Sequence, residues 1–406
     1  MGNIHKGQKY RVLGAAVGIN LLAGILYIWS VISKSLISEL NWTSKEASLP
    51  YTISTLCFVI AMVIFGKIQD AKGPSFTATI GSILMGSGLI LSGFTKSPLI
   101  MLITIGAITG PGIGIINVST APPAVKWFPP EKKGIITGIV VSGVGISSII
   151  FSPLSNYLLS TVGISKTFIY LGVGALFFAF IFAQMLKNPP EGYNTVATNK
   201  LDKTSLGMDL PREDSTWREM LKTKEFYKLW VMLAFSSSAG LMIIGHISNI
   251  AKIQVNWESG FLLVIFLAVF NTLGRILGGS ISDKIGCINL MRIMFALQGL
   301  NMFFFPKYLN IWLVAFGVAI AGLCYGAGFP VFPAKILDLY GAKDFGLNYG
   351  LIFTSWGIGG VIGPMTGAAI FDLTGSYNNA FLIAFLLLAI SLAITFTFKT
   401  NMEKCS

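Results

Sequence analysis

Residues 66–73 read Gly66-Lys67-Ile68-Gln69-Asp70-Ala71-Lys72-Gly73, and residues 279–286 read Gly279-Ser280-Ile281-Ser282-Asp283-Lys284-Ile285-Gly286. Gly, Asp and Gly hold the same places in both octets, 213 residues apart. Each octet ends one long apolar run and leads into another. Nearly the same offset relates Gly134, Gly138 and Gly145 to Gly346, Gly350 and Gly357. Pro123-Ala124 is echoed by Pro333-Ala334. One such match would say little in a chain with 45 glycines. Several at almost one offset argue for an internal duplication.

The apolar runs around the octets set the fold class. Of 406 residues, 53% are hydrophobic and 11% charged, against about 25% charged in a soluble domain. Mean hydropathy is +0.73. A helix needs about 20 apolar residues to cross the hydrocarbon of a bilayer. Twelve such runs are present, at 12–36, 48–67, 75–94, 98–122, 134–159, 166–186, 227–251, 258–280, 288–305, 309–333, 346–371 and 378–399. The longest polar stretch runs from Lys187 to Lys228 and holds Pro189, Pro190 and Pro211. The expectation is an all-α membrane protein of twelve transmembrane helices in two pseudo-symmetric six-helix halves. The N-terminal bundle covers 1–186, a cytoplasmic linker 187–226 and the C-terminal bundle 227–406.

Charge orients the chain. With both termini inside, the outer loops carry only Lys34, Lys45, Lys96, Lys166, Lys252 and Lys307 of the 29 Lys and Arg. Arg275 lies within a span and the rest fall in inner segments, as the positive-inside rule requires. This accounts for the net charge of +12 without a nucleic-acid partner. The first run is too long for a cleaved signal peptide. Cys57, Cys287, Cys324 and Cys405 show no metal or disulfide spacing, and no motif calls for a cofactor.

The octet Gly66–Gly73 resembles the signature G-x-L-A-D-R-x-G-[RK] of the major facilitator superfamily, with Ile68, Gln69 and Pro74 departing from it. Parallel six-helix halves are that superfamily's architecture. The resemblance implies that this loop contacts the other half. Physically, Gly66 and Gly73 allow close approach, and Asp70 can accept from helix N-terminal amides or a basic partner. Asp283 stands where Asp70 does in the second copy. The alternative is a charged turn that only sets topology. Two further stretches, Gly24-Ile-Leu-Tyr27-Ile-Trp29-Ser30 and Trp127-Phe128-Pro-Pro-Glu131-Lys132-Lys133-Gly134-Ile-Ile-Thr-Gly138-Ile-Val-Val-Ser-Gly143, resemble the oxalate/formate antiporter branch of the monocarboxylate transporter group. The resemblance covers all twelve spans. It implies a plasma (inner) membrane transporter, expected to be a monomer, that moves small carboxylates.

Arg275 is the candidate anion ligand. A guanidinium at membrane depth is costly unless it faces protein, water or a counter-ion. Its planar fork suits a carboxylate, and the sequence puts no acid in mid-span to occupy it. The resemblance gives the same role to the arginine of span eight. The alternatives are snorkelling or pairing with backbone carbonyls. Asn271 lies one helical turn earlier on the same face and could donate to the same carboxylate or bond a neighbouring helix. Tyr325 and Phe329 are also one turn apart; the resemblance places such aromatics at the cavity wall, while packing is the plain reading. Tyr27, Asn117 and Trp356 are further lining candidates.

His246 is the histidine within a span and the candidate proton carrier; the alternative is a neutral imidazole bonded to a neighbouring helix. Glu39, Asp70, Asp283 and Asp372 stand at span ends, where gating suits them better. Gly360-Val-Ile-Gly363-Pro364-Met-Thr-Gly367 resembles a motif of some antiporters, although that motif belongs in span five. Alone it predicts a bent helix.

These readings converge on proton-coupled transport of a small monocarboxylate by alternating access, with oxalate/formate-type exchange as the alternative. No paired mid-span acids or H-E-x-x-H motif supports an intramembrane enzyme, and no appended module supports a sensor. The resemblance implies a second cation, a lysine in span eleven, for a dianion. Here residues 345–371 hold no basic residue, and Trp356 stands at or beside that position. A second carboxylate would lack a partner at low dielectric, which favours lactate, pyruvate, formate or a similar acid over oxalate.

Overall fold

The computed structural model describes residues 2–190, 193, 215–257 and 259–398. Most of the polar linker and Cys405 lie outside the described residues. Among the described residues the elements are all helical. Span one is Gly2–Ala23, continued through a 3-10 turn at Gly24–Ile28 into Trp29–Leu40. Spans two and three are Ser44–Lys72 and Pro74–Ser92. Span four runs Pro98–Lys126 and contains a π-helical stretch, Leu102–Thr109.

Spans five and six form one helical stretch, Lys133–Met185, of 53 residues. At about 1.5 Å per residue it is far longer than a bilayer is thick. Gly163 breaks it with φ 78 and ψ 173, a conformation that suits glycine. Among the described residues eleven helices are long and apolar enough to cross a membrane, and the Lys133–Met185 stretch accounts for two spans. Spans seven to twelve are Lys224–Val255, Gly260–Ile285, Cys287–Phe304, Ile311–Tyr340, Phe345–Thr374 and Asn378–Thr395.

The duplicated sequence folds into duplicated geometry. Gly73 and Gly286 close the two octets with φ 88 and φ 84, turning span two into three and span eight into nine. Asn41 and Asn256, each followed by Trp, end spans one and seven in the left-handed conformation. Buried apolar side chains gather in two cores. One draws on residues between Val12 and Leu186. The other draws on residues between Met220 and Phe398, joined by Met62 and Val118.

Glycines govern where the halves touch. A side chain at Gly134 or Gly138 would strike the backbone of span eight at Gly279 or Arg275, and one at Gly145 would strike Thr272. In the mirror image, Gly346 and Gly350 meet the backbone of span two at Gly66 and Met62, and Gly357 meets Val59. These approaches run along the parts of the spans nearest the two octets, so the molecule is closed at the octet end. The glycines around Pro364 do something else. Gly359 and Gly363 lie against Ala234 and Ser238 of span seven, and Gly367 against His246. That run packs span eleven within its own half.

Candidate functional site

Each octet aspartate caps a helix of the opposite half. Asp70 accepts from the amides of Gly346 and Leu347, at 3.1 and 3.0 Å, in the first turn of span eleven. Asp283 accepts from Gly134 and Ile135, both at 2.8 Å, in the first turn of span five. These are unpaired amides at the positive end of a helix dipole, so a carboxylate there is doubly favoured. Gly66 contributes the close approach to span eleven, and Gly73 the turn that positions Asp70 at the helix end. A Lys133–Asp338 ion pair joins spans five and ten at the same end.

Arg275 lies between the halves and is 1% exposed. Its Nε donates to Asn271 Oδ1 at 3.1 Å and its Nη1 to the carbonyl of Val141, on span five, at 2.6 Å. Gly138 is what lets span five come close enough for the second bond. The guanidinium carbon sits 4.1 Å from the centre of the Phe329 ring, a cation–π contact. Among the described residues Nη2 has no hydrogen-bond partner. Backbone pairing, one of the two alternatives for this residue, thus accounts for one nitrogen and leaves another unsatisfied. A buried donor without an acceptor is costly and gives an arriving anion something to bind.

Asn271, 3% exposed, spends its oxygen on orienting Arg275. Phe329 packs edge-on against Tyr325 and Trp356, with ring centres 5.3 and 6.4 Å apart, and also meets Phe353. Trp356 Nε1 donates to the Tyr325 hydroxyl at 2.9 Å and reaches across to Phe58 of span two. Tyr27 is half-buried on the 3-10 turn of span one. Asn117, half-buried on span four beyond the π-helical stretch, accepts from the Tyr349 hydroxyl at 3.0 Å. Tyr349, Phe353, Phe58 and the Val141 carbonyl are site members the sequence reading missed. The tyrosine and phenylalanines looked like any other span aromatics, and a backbone acceptor leaves no sequence signal.

His246 has no contact with this cluster among its described bonds. Its Nε2 faces the Pro364 carbonyl at 2.9 Å, and its Nδ1 lies 3.3 Å from the Tyr377 hydroxyl. A carbonyl only accepts, so Nε2 carries the proton. Asn249 Nδ2 donates to the same Tyr377 oxygen. Burial pushes the Tyr377 phenol above its ordinary value, so it stays neutral and can donate to Nδ1. This is the imidazole bonded to neighbouring elements that was the alternative for His246.

The family model of the Major Facilitator Superfamily matches residues 13–308 and 258–404. The chain belongs to the Major Facilitator Superfamily. The oxalate:formate antiporter of Oxalobacter formigenes is 25% identical over 98% of this chain and 94% of its own. Monocarboxylate transporter 13 of Rattus norvegicus is 24% identical over 95% of this chain and 87% of its own. Both relatives align with this chain over nearly its full length. The crystal structure of the Escherichia coli fucose:proton symporter FucP shares the superfamily fold, with a TM-score of 0.73 over 96% of this chain and 98% of that one, at 11% identity. The superfamily relatives are transporters, and this chain is a multi-pass membrane transporter.

Proposed function

We propose that this transporter carries small monocarboxylates such as lactate, pyruvate or formate by alternating access, coupled to protons, with Arg275 as the anion ligand. The observation that carries the reading is the unpartnered Nη2 of a buried guanidinium, walled by Phe329, Tyr325 and Trp356. The sequence offers it no mid-span acid and no second cation in span eleven. One fixed positive charge balances one carboxylate. Asn271 and Phe329 orient the fork, and Tyr27, Asn117 and Trp356 line the space around the bound anion.

The halves, 1–186 and 227–406 joined by the linker 187–226, rock as units about the site. With both termini cytoplasmic, the closed octet end faces the cytoplasm and this conformation is outward-facing. The membrane is the plasma (inner) membrane, and the unit is a monomer. Asp70 and Asp283, with Gly66 and Gly73, serve as the inner gate. Protonation of His246 would let Nδ1 donate to the Tyr377 oxygen without moving the ring, which suits a proton carrier. The oxalate:formate relative favours a second reading, anion exchange.

Uptake of labelled lactate, pyruvate and formate into proteoliposomes, with oxalate as competitor, tests the proposal. Displacement by monocarboxylates and not by oxalate at equal concentration is the expected result. Oxalate competing as well as lactate overturns it in favour of the dianion reading.

A further inference from the structure

Span eleven has an acid of its own at its start. Asp344 stands immediately before the helix Phe345–Thr374. An aspartate in that place ordinarily turns its side chain onto the amides two and three residues further on. Here those belong to Gly346 and Leu347. Both are taken by Asp70 of the other half, at 3.1 and 3.0 Å. Asp344 makes no capping bond to its own helix. Its Oδ2 accepts instead from the amide of Trp217, at 3.2 Å. Trp217 begins the short helix Trp217–Met220 that precedes span seven. Two residues earlier, the Ser215 amide donates to the Tyr340 carbonyl at 3.0 Å. The end of the linker is thus tied to the loop between spans ten and eleven.

Two carboxylates from opposite halves therefore match one pair of donors, and only one can hold them at a time. Amides at a helix start are costly to leave unpaired. Separation of span eleven from span two withdraws Asp70 and strands both. The other seam is built differently. The residue before span five is Lys132, which makes no capping bond. Its ammonium can only donate, so it cannot stand in for Asp283.

We propose that Asp344 is the second cap of span eleven. When the octet end opens and Asp70 withdraws, the Asp344 carboxylate turns from Trp217 to the amides of Gly346 and Leu347. Span eleven then stays capped in both forms, and opening this seam costs less than the Asp70 bonds alone would require. The same turn releases the Trp217 amide, which couples the gate to the linker. Asp344 is a positioning residue: it acts through the helix start and touches no substrate. The inference rests on the reading that the halves rock about the site, and it holds for any anion carried.

Thiol labelling at the octet end reads the open form. Ser282→Cys, in an otherwise cysteine-free transporter, puts the thiol on span eight. Ser282 is 3% exposed and lies against Gly134 of span five, on the other seam from Asp344. Asp344→Ala gives up two amide bonds in the open form and one in the closed form, so labelling slows about threefold from the parent rate. Asp344→Asn labels within about twofold of the parent, because an asparagine oxygen caps a helix as well as a carboxylate does. Asp70→Asn labels faster than the parent, and adding Asp344→Ala brings it back toward the parent rate. If Asp344 only anchors the linker, its loss weakens the closed form alone. Labelling in Asp344→Ala that rises or stays unchanged therefore overturns the exchange of caps. Equal slowing in Asp344→Asn and Asp344→Ala overturns it too, by assigning the effect to charge. A thiol that labels in neither the parent nor Asp70→Asn overturns the rocking reading, and the second cap with it.

Discussion

Arg275 Nη1 and the carbonyl oxygen of Val141 are 2.6 Å apart, and they belong to opposite halves of the transporter. The buried cation that suits an anion is thus also a tie across the closed seam. A carboxylate that takes up both Nη atoms must displace Val141, so binding and opening draw on the same nitrogen.

Arg275→Ala should abolish carboxylate binding while the protein stays folded in the membrane. A hydrogen bond to a charged group is worth about 1.5–3 kcal/mol, so losing two weakens binding more than tenfold. Arg275→Lys should also bind poorly, because an ammonium cannot present the fork or stack as flatly on Phe329. Calorimetry checks both; wild-type affinity in the alanine variant contradicts the assignment.

Trp356→Lys should move selectivity toward dianions. It adds a second cation beside the Tyr325 hydroxyl, which Trp356 now contacts. Oxalate affinity should rise about tenfold or more relative to lactate, as read by competition in proteoliposomes. An unchanged ratio would mean that the missing cation does not set substrate charge.

Asp70→Asn and Asp283→Asn should each loosen the octet end. A neutral amide keeps at most part of the capping and loses the charge that faces the helix dipole, at about 0.3–2 kcal/mol. Thiol labelling of a cysteine placed at that end should increase in each variant and increase further in the double variant. Labelling unchanged in both single variants would argue that the caps do not hold the gate.

His246→Gln should preserve substrate exchange and lose accumulation driven by an imposed pH gradient. Its ring is outside the arginine cluster and held by Pro364 and Tyr377, so exchange does not need it. Normal gradient-driven uptake in the variant would assign the proton to water or to the substrate itself.

Gly138→Val should block closure of the octet end. Even one carbon at residue 138 would strike the backbone of Arg275, which cannot yield as a flexible side chain could. Overpacking of this kind costs about 1–3 kcal/mol. The variant should reach the membrane, lose transport and show high labelling at that end.

The helices and their duplication were legible because apolar length and repeated glycines are written directly into the chain. The one-turn spacing of Asn271 and Arg275 likewise announced a shared face. Which helix each face meets was not legible. Nothing in Val141 marks its carbonyl as an acceptor, since every residue has one. Tyr349 reaches Asn117 across the halves, and that pairing depends on helix placement rather than on either residue's neighbours. His246 stood out by its chemistry, yet Gly367 and Pro364 draw it toward span eleven, a contact that only the packed bundle reveals. The two Asn-Trp pairs were readable as a further repeat, but short polar dipeptides are easily passed over beside longer glycine patterns.

The glycine seam has a thermodynamic consequence. Where bare backbones meet along spans five and eight, and two and eleven, few side chains have to find new rotamers when the surfaces separate. Side-chain entropy, which can reach about 2 kcal/mol for a long residue, contributes little to the difference between the open and closed forms. That difference then falls to a handful of directional bonds, chiefly those of Asp70, Asp283 and Arg275. A ligand can shift a two-state balance only by its unequal affinity for the two states, and about 5.5 kcal/mol carries it from one extreme to the other. A molecule as small as a three-carbon acid, with one or two charge-assisted bonds to offer, can supply much of that, so its size is no bar to driving a 406-residue machine.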